Sequence, residues 1–330
     1  MGASPIFVRW ADVGPQASAF WRVFLALPFL WFWAWWEQRS EACSLRSPTS
    51  SSGGHSSCVP SPLVGQGQGG GWPQTHAQVE PPSPTLPLKG GGSAQCSQQG
   101  FAPLDSGILL TGILFAGDLF FWHLAILGTT VANATLLATT IPIWVALGAL
   151  LFLAERVTRA TLAGILLCLA GGATLVGDSF GFAPQRLWGD IYGLITAVFF
   201  GGYVLAVRAA RARHGAGRLA FLGTTITAVC LLVAALIMEP TLIPRSIAGA
   251  VTLVALALVS QVAGQGLLAV ALGTLPATFS SLVLFIEGIA AALFGWLIFG
   301  ETLGPAQAIG GVLILIGIWV ARPKSNLTGP

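Results

Sequence analysis

The chain has 330 residues, of which 54% are hydrophobic and only 8% are charged. Soluble domains carry roughly 25% charged residues, so this composition excludes a water-soluble globular protein. Fifteen Lys and Arg against twelve Asp and Glu leave a formal net charge of +3, too small and too dispersed for a nucleic-acid-binding surface. The five cysteines lack the paired spacing of a disulfide framework or a zinc site, and we expect neither a metal nor a cofactor.

The beginning of the chain predicts an incomplete helix followed by a complete one. Val8 and Arg9 match Val207 and Arg208 at the end of a later apolar run, so we expect a truncated first helix. A span then covers residues 16–36, with Arg22 inside it. At about 38–104 the composition changes to Gly, Ser, Pro and Gln, which cannot bury enough apolar area to offset the ordering entropy. This segment is predicted to be a disordered cytoplasmic insert.

Uncharged runs predict the remaining spans, because a helix crosses the bilayer with about 20 apolar residues. The runs 119–154 and 246–286 each hold two helices, separated by turns at 128–130 and 273–276. The first helix of the run 119–154 extends back to residue 107, so that its span 107–127 contains Asp118. Single helices are predicted at 160–177, 191–207, 219–238 and 302–321. Together with the span 16–36, this makes nine complete spans after the incomplete first helix. We therefore expect an all-α polytopic membrane protein in contact with lipid along its whole apolar length.

The loop charges predict how these spans are oriented. Under the positive-inside rule, the cluster of arginines at 208–218 marks a cytoplasmic loop, and the basic residues at 39–46, 156–159 and 322–324 fall on the same side. Only Arg9, Arg186 and Arg245 fall on the other side. The sequence predicts a multi-pass protein of a bacterial inner membrane, with a cytoplasmic C-terminus.

An internal repeat relates the two halves of the chain. A shift of 146 positions places Glu155 on Glu301, and Gly164 and Gly171 on Gly310 and Gly317. The span count puts the two glutamates on opposite sides, so the halves are predicted to be inverted. Their predicted bounds are 1–177 and 178–322, followed by a tail at 323–330.

Several short motifs carry a family resemblance. They are Ala17–Arg22, Phe115–Leu119, Val131–Leu137 followed by Pro142, Ala154–Glu155 with Gly164, and Phe299–Glu301 with Gly310 and Gly311. Together they resemble the EamA family of the drug/metabolite transporter superfamily. The resemblance implies a ten-helix fold of two inverted five-helix repeats that exports small metabolites, often amino acids, by alternating access. Gly288 departs from the family, whose second repeat usually has a proline there.

Charged side chains inside a membrane are costly and mark functional sites by default. Arg22, Asp118 and Glu287 are the strongest candidates, with Trp122 on the same helical face as Asp118. Arg22 can contact a substrate carboxylate, pair with Asp118, or extend to the interface. For the two carboxylates the alternatives are a cavity or gating role, including proton coupling, and hydrogen bonding between helices.

Uncharged polar residues form a second group of candidates. Gln261 and Gln265 lie one helical turn apart and can face one cavity. His123 and Asn133 are either ligand contacts or hydrogen-bond partners between helices. Glu155 and Glu301 end their predicted helices, where capping or gating of the adjoining turn is expected.

Three function classes follow from these residues. The leading prediction is a secondary transporter of small organic molecules, with an amino acid or a similar metabolite as substrate. An intramembrane enzyme is the first alternative, but the sequence lacks a metal-ligand motif such as HExxH and a GxSxG nucleophile, and no catalytic residue is predicted. A non-transporting membrane scaffold is the second.

Overall fold

The computed structural model describes residues 13–44, 105–176, 184–299 and 304–323, and within these ranges it contains helices and no strand. The helices before the first long turn are α1 (Pro15–Phe24), α2 (Leu27–Ser44) and α3 (Ser106–Gly128). Those that complete the predicted first half are α4 (Val131–Ala138), α5 (Ile141–Phe152) and α6 (Arg159–Val176). The rest are α7 (Leu187–Ala210), α8 (Ala216–Met238), α9 (Ile247–Leu256), α10 (Gly266–Ala271), α11 (Ala277–Val283), α12 (Ile286–Phe299) and α13 (Pro305–Val320).

Helices occupy all nine predicted spans in the described part of the chain. Six of the continuous helical stretches are long and apolar enough to cross a membrane, and three more at Arg159–Leu175, Ala277–Ala290 and Pro305–Val320 are shorter. Both predicted turns lie where expected, since helices end at Gly128 and Ala271. The predicted truncated helix, almost all of the insert and the C-terminal tail lie outside the described residues, although α2 continues past the predicted boundary at 38.

Four of the helical rods are interrupted part-way along their length. Breaks separate α1 from α2, α4 from α5, and α11 from α12, and a π-helical segment at Ala257–Gln265 joins α9 to α10. Pro28 and Pro142 follow the first two breaks and explain them, because a proline cannot continue the hydrogen-bond ladder. At the second break Thr139 and Thr140 donate their hydroxyls to the carbonyls of Leu136 and Leu137. These carbonyls also accept from the backbone N–H groups of Thr139 and Thr140, so each hydroxyl adds a second hydrogen bond. The hydroxyls are thereby satisfied within the protein, as an apolar medium requires.

The main apolar core lies where α3 packs against both α7 and α8. Four of its members, Phe115, Leu119, Val204 and Leu231, are almost fully buried. Large apolar side chains such as Phe152 at 80% and Ile237 at 79% exposure point outward instead. A surface of this kind is stable only against lipid, which agrees with the predicted membrane location.

A row of glycines lets α6 and α13 pack with their backbones in close approach. A Cβ atom on Gly171 would lie 2.6 Å from the carbonyl oxygen of Gly310, and one on Gly164 would lie 2.6 Å from that of Gly317. We call these four glycines the α6–α13 seam. The predicted shift of 146 positions takes Gly164 to Gly310 and Gly171 to Gly317, so the two contacts correspond to each other, as at a two-fold interface. Small residues at such contacts allow the van der Waals packing that joins helices in lipid.

A second reciprocal contact joins the α1–α2 rod to α8. The Glu239 carboxylate at the end of α8 accepts hydrogen bonds from the backbone N–H groups of Gln16 and Ala17 in the first turn of α1. Glu37 of α2 does the same for Ala216 and Gly217 in the first turn of α8, at 2.9 and 2.8 Å. Carboxylates stabilise helix N-termini because those N–H groups have no partner within the helix. Each rod thus caps the other, at opposite ends of an antiparallel pair.

Polar side chains make contacts at one end of the bundle. At the end that carries the basic loop, His214 donates to Asp105 at 3.1 Å and Arg211 donates to the carbonyl of Ala269 at 2.9 Å. The hydrogen bond from His214, together with the charge of Arg213, lowers the pKa of the Asp105 carboxyl. All of these residues lie on the side that the loop charges predict to be cytoplasmic.

The seam predicts a difference between two neighbouring glycines of α13. Gly310→Ala should lower the free energy of unfolding by about 1–3 kcal/mol, because the new methyl group collides with the α6 backbone. Gly311→Ala is the matched control, since nothing lies within 4 Å of a Cβ there and alanine favours the helix. Thermal unfolding of the detergent-solubilised protein measures both. Equal effects of the two substitutions would contradict the seam.

Candidate functional site

A cavity of about 240 Å³ lies among the interrupted helices. This volume is smaller than the roughly 300–1,000 Å³ of sites that hold drug-sized molecules. Most of the lining is apolar, from Trp122, Phe200 and Phe285 among others. Its polar lining residues are Arg22, Asp118, Thr135, Thr139, Thr196, Gln265, Ser281 and Glu287.

Three charged side chains from different helices line this cavity. Arg22 comes from α1, Asp118 from α3 and Glu287 from α12. Arg22 and Asp118 are each 7% exposed, and Glu287 is half-buried. The charge of Arg22 acts on both carboxylates. The structure therefore places Arg22 inside the bundle with its two counter-charges, and it does not extend to the membrane interface.

The helix breaks position much of the lining. Thr139 and Pro142 flank the break between α4 and α5, and Leu284 and Phe285 form the break between α11 and α12. The two breaks are related by the repeat, since a shift of 146 positions takes Thr139 to Phe285. Irregular backbone at membrane depth is tolerated where it lines a cavity, and half-helices commonly form substrate sites in transporters. The second break forms although Gly288 replaces the proline expected there.

The two glutamines of the π-helical segment differ in which cavities they line. Gln265 lines the larger one, whereas Gln261 and Gln265 together line a smaller one of about 20 Å³ with Thr224 and Thr227. Gln261 donates its amide to Thr224 at 3.2 Å. A π-helical turn within an α-helix often marks a functional position. Only Gln265 thus reaches the larger cavity directly.

The weaker candidates make contacts away from the larger cavity. Nδ1 of buried His123 donates to the carbonyl of Leu119, four residues earlier, at 2.6 Å. Asn133 donates to Asp190 of α7 at 3.1 Å, and Thr129 donates to the same carboxylate at 2.7 Å. The Asn133 contact joins two helices, whereas the His123 contact lies within α3 and is not the hydrogen bond between helices that was the alternative for that residue.

Of the two glutamates predicted at helix ends, Glu155 lies within the described residues. Glu155 accepts a hydrogen bond from the backbone N–H of Ala277, in the first turn of α11, at 3.1 Å. It also pairs with Arg208 of α7 at 3.3 Å. Glu301 lies outside the described residues.

Sequence reasoning missed several members of the cavity wall. Thr139, Thr196 and Ser281 line it, yet the apolar runs gave no sign that their hydroxyls face a cavity. A serine or threonine in a helix ordinarily donates to a carbonyl one turn earlier, as Ser281 does to Thr278. Arg208 was assigned only to the orientation of the loops, and its partner Glu155 was not foreseen.

Comparison with known proteins gives the family. The model of the EamA-like transporter family matches residues 187–322. The pseudopaline exporter CntI of Pseudomonas aeruginosa, from two strains, is 31% identical over 221 residues, which cover 66% of this chain and 76% of that protein. The chain belongs to the EamA-like transporter family.

The fold has a counterpart among solved structures. A crystal structure superposes on 66% of this chain and 77% of its own with a TM-score of 0.60, at 23% sequence identity, a likeness that concerns the fold alone. Family membership and the apolar helices together make the chain a multi-pass membrane transporter of small metabolites. The resemblance found in the sequence motifs is thereby confirmed.

The charge cluster predicts strong coupling between two residues. Arg22→Gln should lower the free energy of unfolding by about 3–5 kcal/mol, because the buried Asp118 and the half-buried Glu287 lose a neighbouring positive charge. In the double variant Arg22→Gln/Asp118→Asn one of those carboxylates is neutral, so much of the loss should be recovered. Thermal unfolding of both variants and of Asp118→Asn closes the cycle. Strictly additive effects would rule out an interaction between the two side chains.

Proposed function

We propose that this protein exports small metabolites that carry both a carboxylate and an ammonium group, such as amino acids, from the cytoplasm. The observation that carries the proposal is the cavity with one guanidinium and two carboxylates set in apolar walls. Arg22 offers a planar pair of N–H donors that match a substrate carboxylate. Asp118 and Glu287 offer acceptors for an ammonium group, and the aromatic walls accommodate an apolar side chain.

The transport mechanism in this proposal is alternating access between two inverted five-helix repeats, ten helices in all. The α6–α13 seam and the mutual caps of the α1–α2 rod and α8 support it, because each consists of two similar contacts between the predicted halves. Related halves that pack about one central site can rock between two arrangements of similar energy. The cavity then faces each side of the membrane in turn.

Orientation and location complete the proposal. The basic loop at 208–218 and the C-terminus lie in the cytoplasm, and the membrane is the bacterial inner membrane. Contacts between residues predicted to share a side, such as His214 with Asp105, support this arrangement. The similarity to an exporter supports the outward direction.

Three matched solutes test the substrate class. Purified protein in liposomes loaded with unlabelled leucine should take up labelled leucine by exchange. Leucine amide and N-acetyl-leucine should compete at least about tenfold less well, because each lacks one of the two charged groups that the cavity recognises. Equal competition by all three solutes would contradict recognition of the two groups. Failure of every member of an amino-acid panel to exchange would favour another substrate class or a scaffold.

Variants of the cavity arginine link exchange to this site. Arg22→Lys should retain part of the exchange and Arg22→Gln should lose it, because only the first keeps a positive charge for the substrate carboxylate. Arg186→Gln is the control, since Arg186 is exposed and lies outside the cavity. Exchange that survives unchanged in Arg22→Gln would place the substrate elsewhere.

A further inference from the structure

Three helices that line the cavity, α5, α7 and α11, meet at one point beyond it. From the cavity residue Pro142, α5 continues for about 15 Å to its end near Glu155, at 1.5 Å per residue. Arg208 lies about 12 Å beyond Phe200 along α7. At this level side chains from the two predicted halves bind one another.

Glu155 and Arg208 are the centre of this convergence. The Glu155 carboxylate accepts from the backbone N–H of Ala277, and its Oε1 lies 3.3 Å from Nε of Arg208. Arg208 also donates from a terminal nitrogen to the carbonyl of Leu272 at 3.2 Å. The pair therefore ties the end of α5 to α7 and to both sides of the turn between α10 and α11. We call this group of four residues the latch.

The latch is better protected than an ordinary surface ion pair. The side chains of Glu155 and Arg208 are only 18% and 30% exposed. For comparison, Arg213 of the same loop pairs with Asp105 while 74% exposed. Each charged latch group has two partners, which gives it a fixed geometry.

Apolar residues lie between the latch and the cavity along α5 and α7. Val145 and Val204 follow the cavity residues Pro142 and Phe200 toward the latch and are fully buried, as are the latch residues Leu272 and Ala277. At Gly148 α5 packs so closely on Leu205 of α7 that a Cβ atom would collide with that side chain. The structure therefore has this end of the cavity closed, by close packing first and by the latch beyond it.

The backbone beside the latch adopts an unfavourable conformation. Ala154 has φ 51°, in the left-handed region that costs an alanine energy. The N–H of Glu155 donates to the carbonyl of Ala149 at 3.1 Å in the same turn. Strained residues of this kind cluster at switch regions, because neighbouring contacts must hold them in place. The turn that presents Glu155 is thus held by the contacts that the latch makes.

We propose that Glu155 and Arg208 form a gate that holds one end of the transport route closed and opens when the halves move apart. The inference rests on the proposed transport by alternating access, and it adds Arg208 to the residues that serve transport. Opening breaks the ion pair and the hydrogen bonds to Leu272 and Ala277 together. The closed and open states therefore differ by a small set of polar contacts that water replaces when the gate opens.

Thiol labelling measures the gate without any substrate. The test protein carries Ser281→Cys in the cavity wall, keeps Cys168, and has its other cysteines replaced by alanine. A membrane-impermeant maleimide is added to one side of the bilayer at a time. Cys168 is fully buried against α13, so its labelling reports unfolding and not gating.

Loss of the latch should expose the cavity from one side only. Glu155→Gln and Arg208→Gln should each raise the labelling rate at position 281 from the Glu155 side by about tenfold, because each removes a charge-assisted contact. Labelling from the other side should not rise, and Cys168 should stay protected. Arg213→Gln is the matched control from the same loop, and it should leave both rates unchanged.

The outcomes separate the gate from transport itself. If neither latch variant changes the one-sided labelling rate, the gate is refuted even if exchange proceeds. If labelling rises as expected but no solute is exchanged, the gate stands and the proposed substrate class is refuted. If Arg208→Gln exposes Cys168 to the maleimide, Arg208→Lys is measured in its place. An unchanged labelling rate at position 281 in both Arg208→Lys and Glu155→Gln would then overturn the proposal.

Discussion

The structure depends on one constraint, which is that lipid offers no hydrogen-bond partner to the backbone. Every N–H and C=O group at membrane depth must therefore be satisfied by the protein, and regular helices do this over most of the chain. The interruptions occur at particular residues, such as Thr139 and Thr140, whose hydroxyls and backbone N–H groups both donate to carbonyls one turn earlier. The breaks between α4 and α5 and between α11 and α12 lie at the cavity, where non-helical backbone is tolerated. The position of the site is in this sense a consequence of backbone chemistry.

The two predicted halves are joined by paired packing contacts but contribute unequal charges. The seam contains two glycine contacts, and the α1–α2 rod and α8 each cap the other. In the cavity, Arg22 and Asp118 come from the first predicted half and Glu287 from the second. An unequal charge set gives a bound molecule a defined orientation. In the proposed alternating access, packing and recognition therefore depend on different residues.

The sequence predicted the helices well and the contacts between them poorly. Uncharged runs and the turns at Gly128 and Gly273–Pro276 located the helices, because the length of a membrane span is a strong local constraint. The cost of charge in lipid singled out Arg22, Asp118 and Glu287, and they do line one cavity. Local pattern contains no information on which helices are neighbours.

Long-range partners were therefore the part that could not be predicted. The ion pair of Glu155 with Arg208 joins residues 53 positions apart. In the sequence, Glu155 is already explained as a helix-end residue and Arg208 as part of a basic loop, so nothing indicates that the two side chains are partners. The same holds for the small hydroxyl residues of the cavity wall, whose sequence signal is that of ordinary helix positions. Gln261 and Gln265 both line the smaller cavity and only Gln265 reaches the larger one, and the π-helical segment that carries them has no sequence signature that we recognise.

The capping of α1 by Glu239 has a consequence for biosynthesis. A ribosome produces the chain from its N-terminus, and Gln16 precedes its partner carboxylate by 223 positions. The backbone N–H groups in the first turn of α1 consequently lack the Glu239 carboxylate as a partner until α8 has been made and has crossed the bilayer. The earliest rod of the described chain is thus completed only after its partner from the second half arrives, so assembly of the first half cannot finish independently of the second.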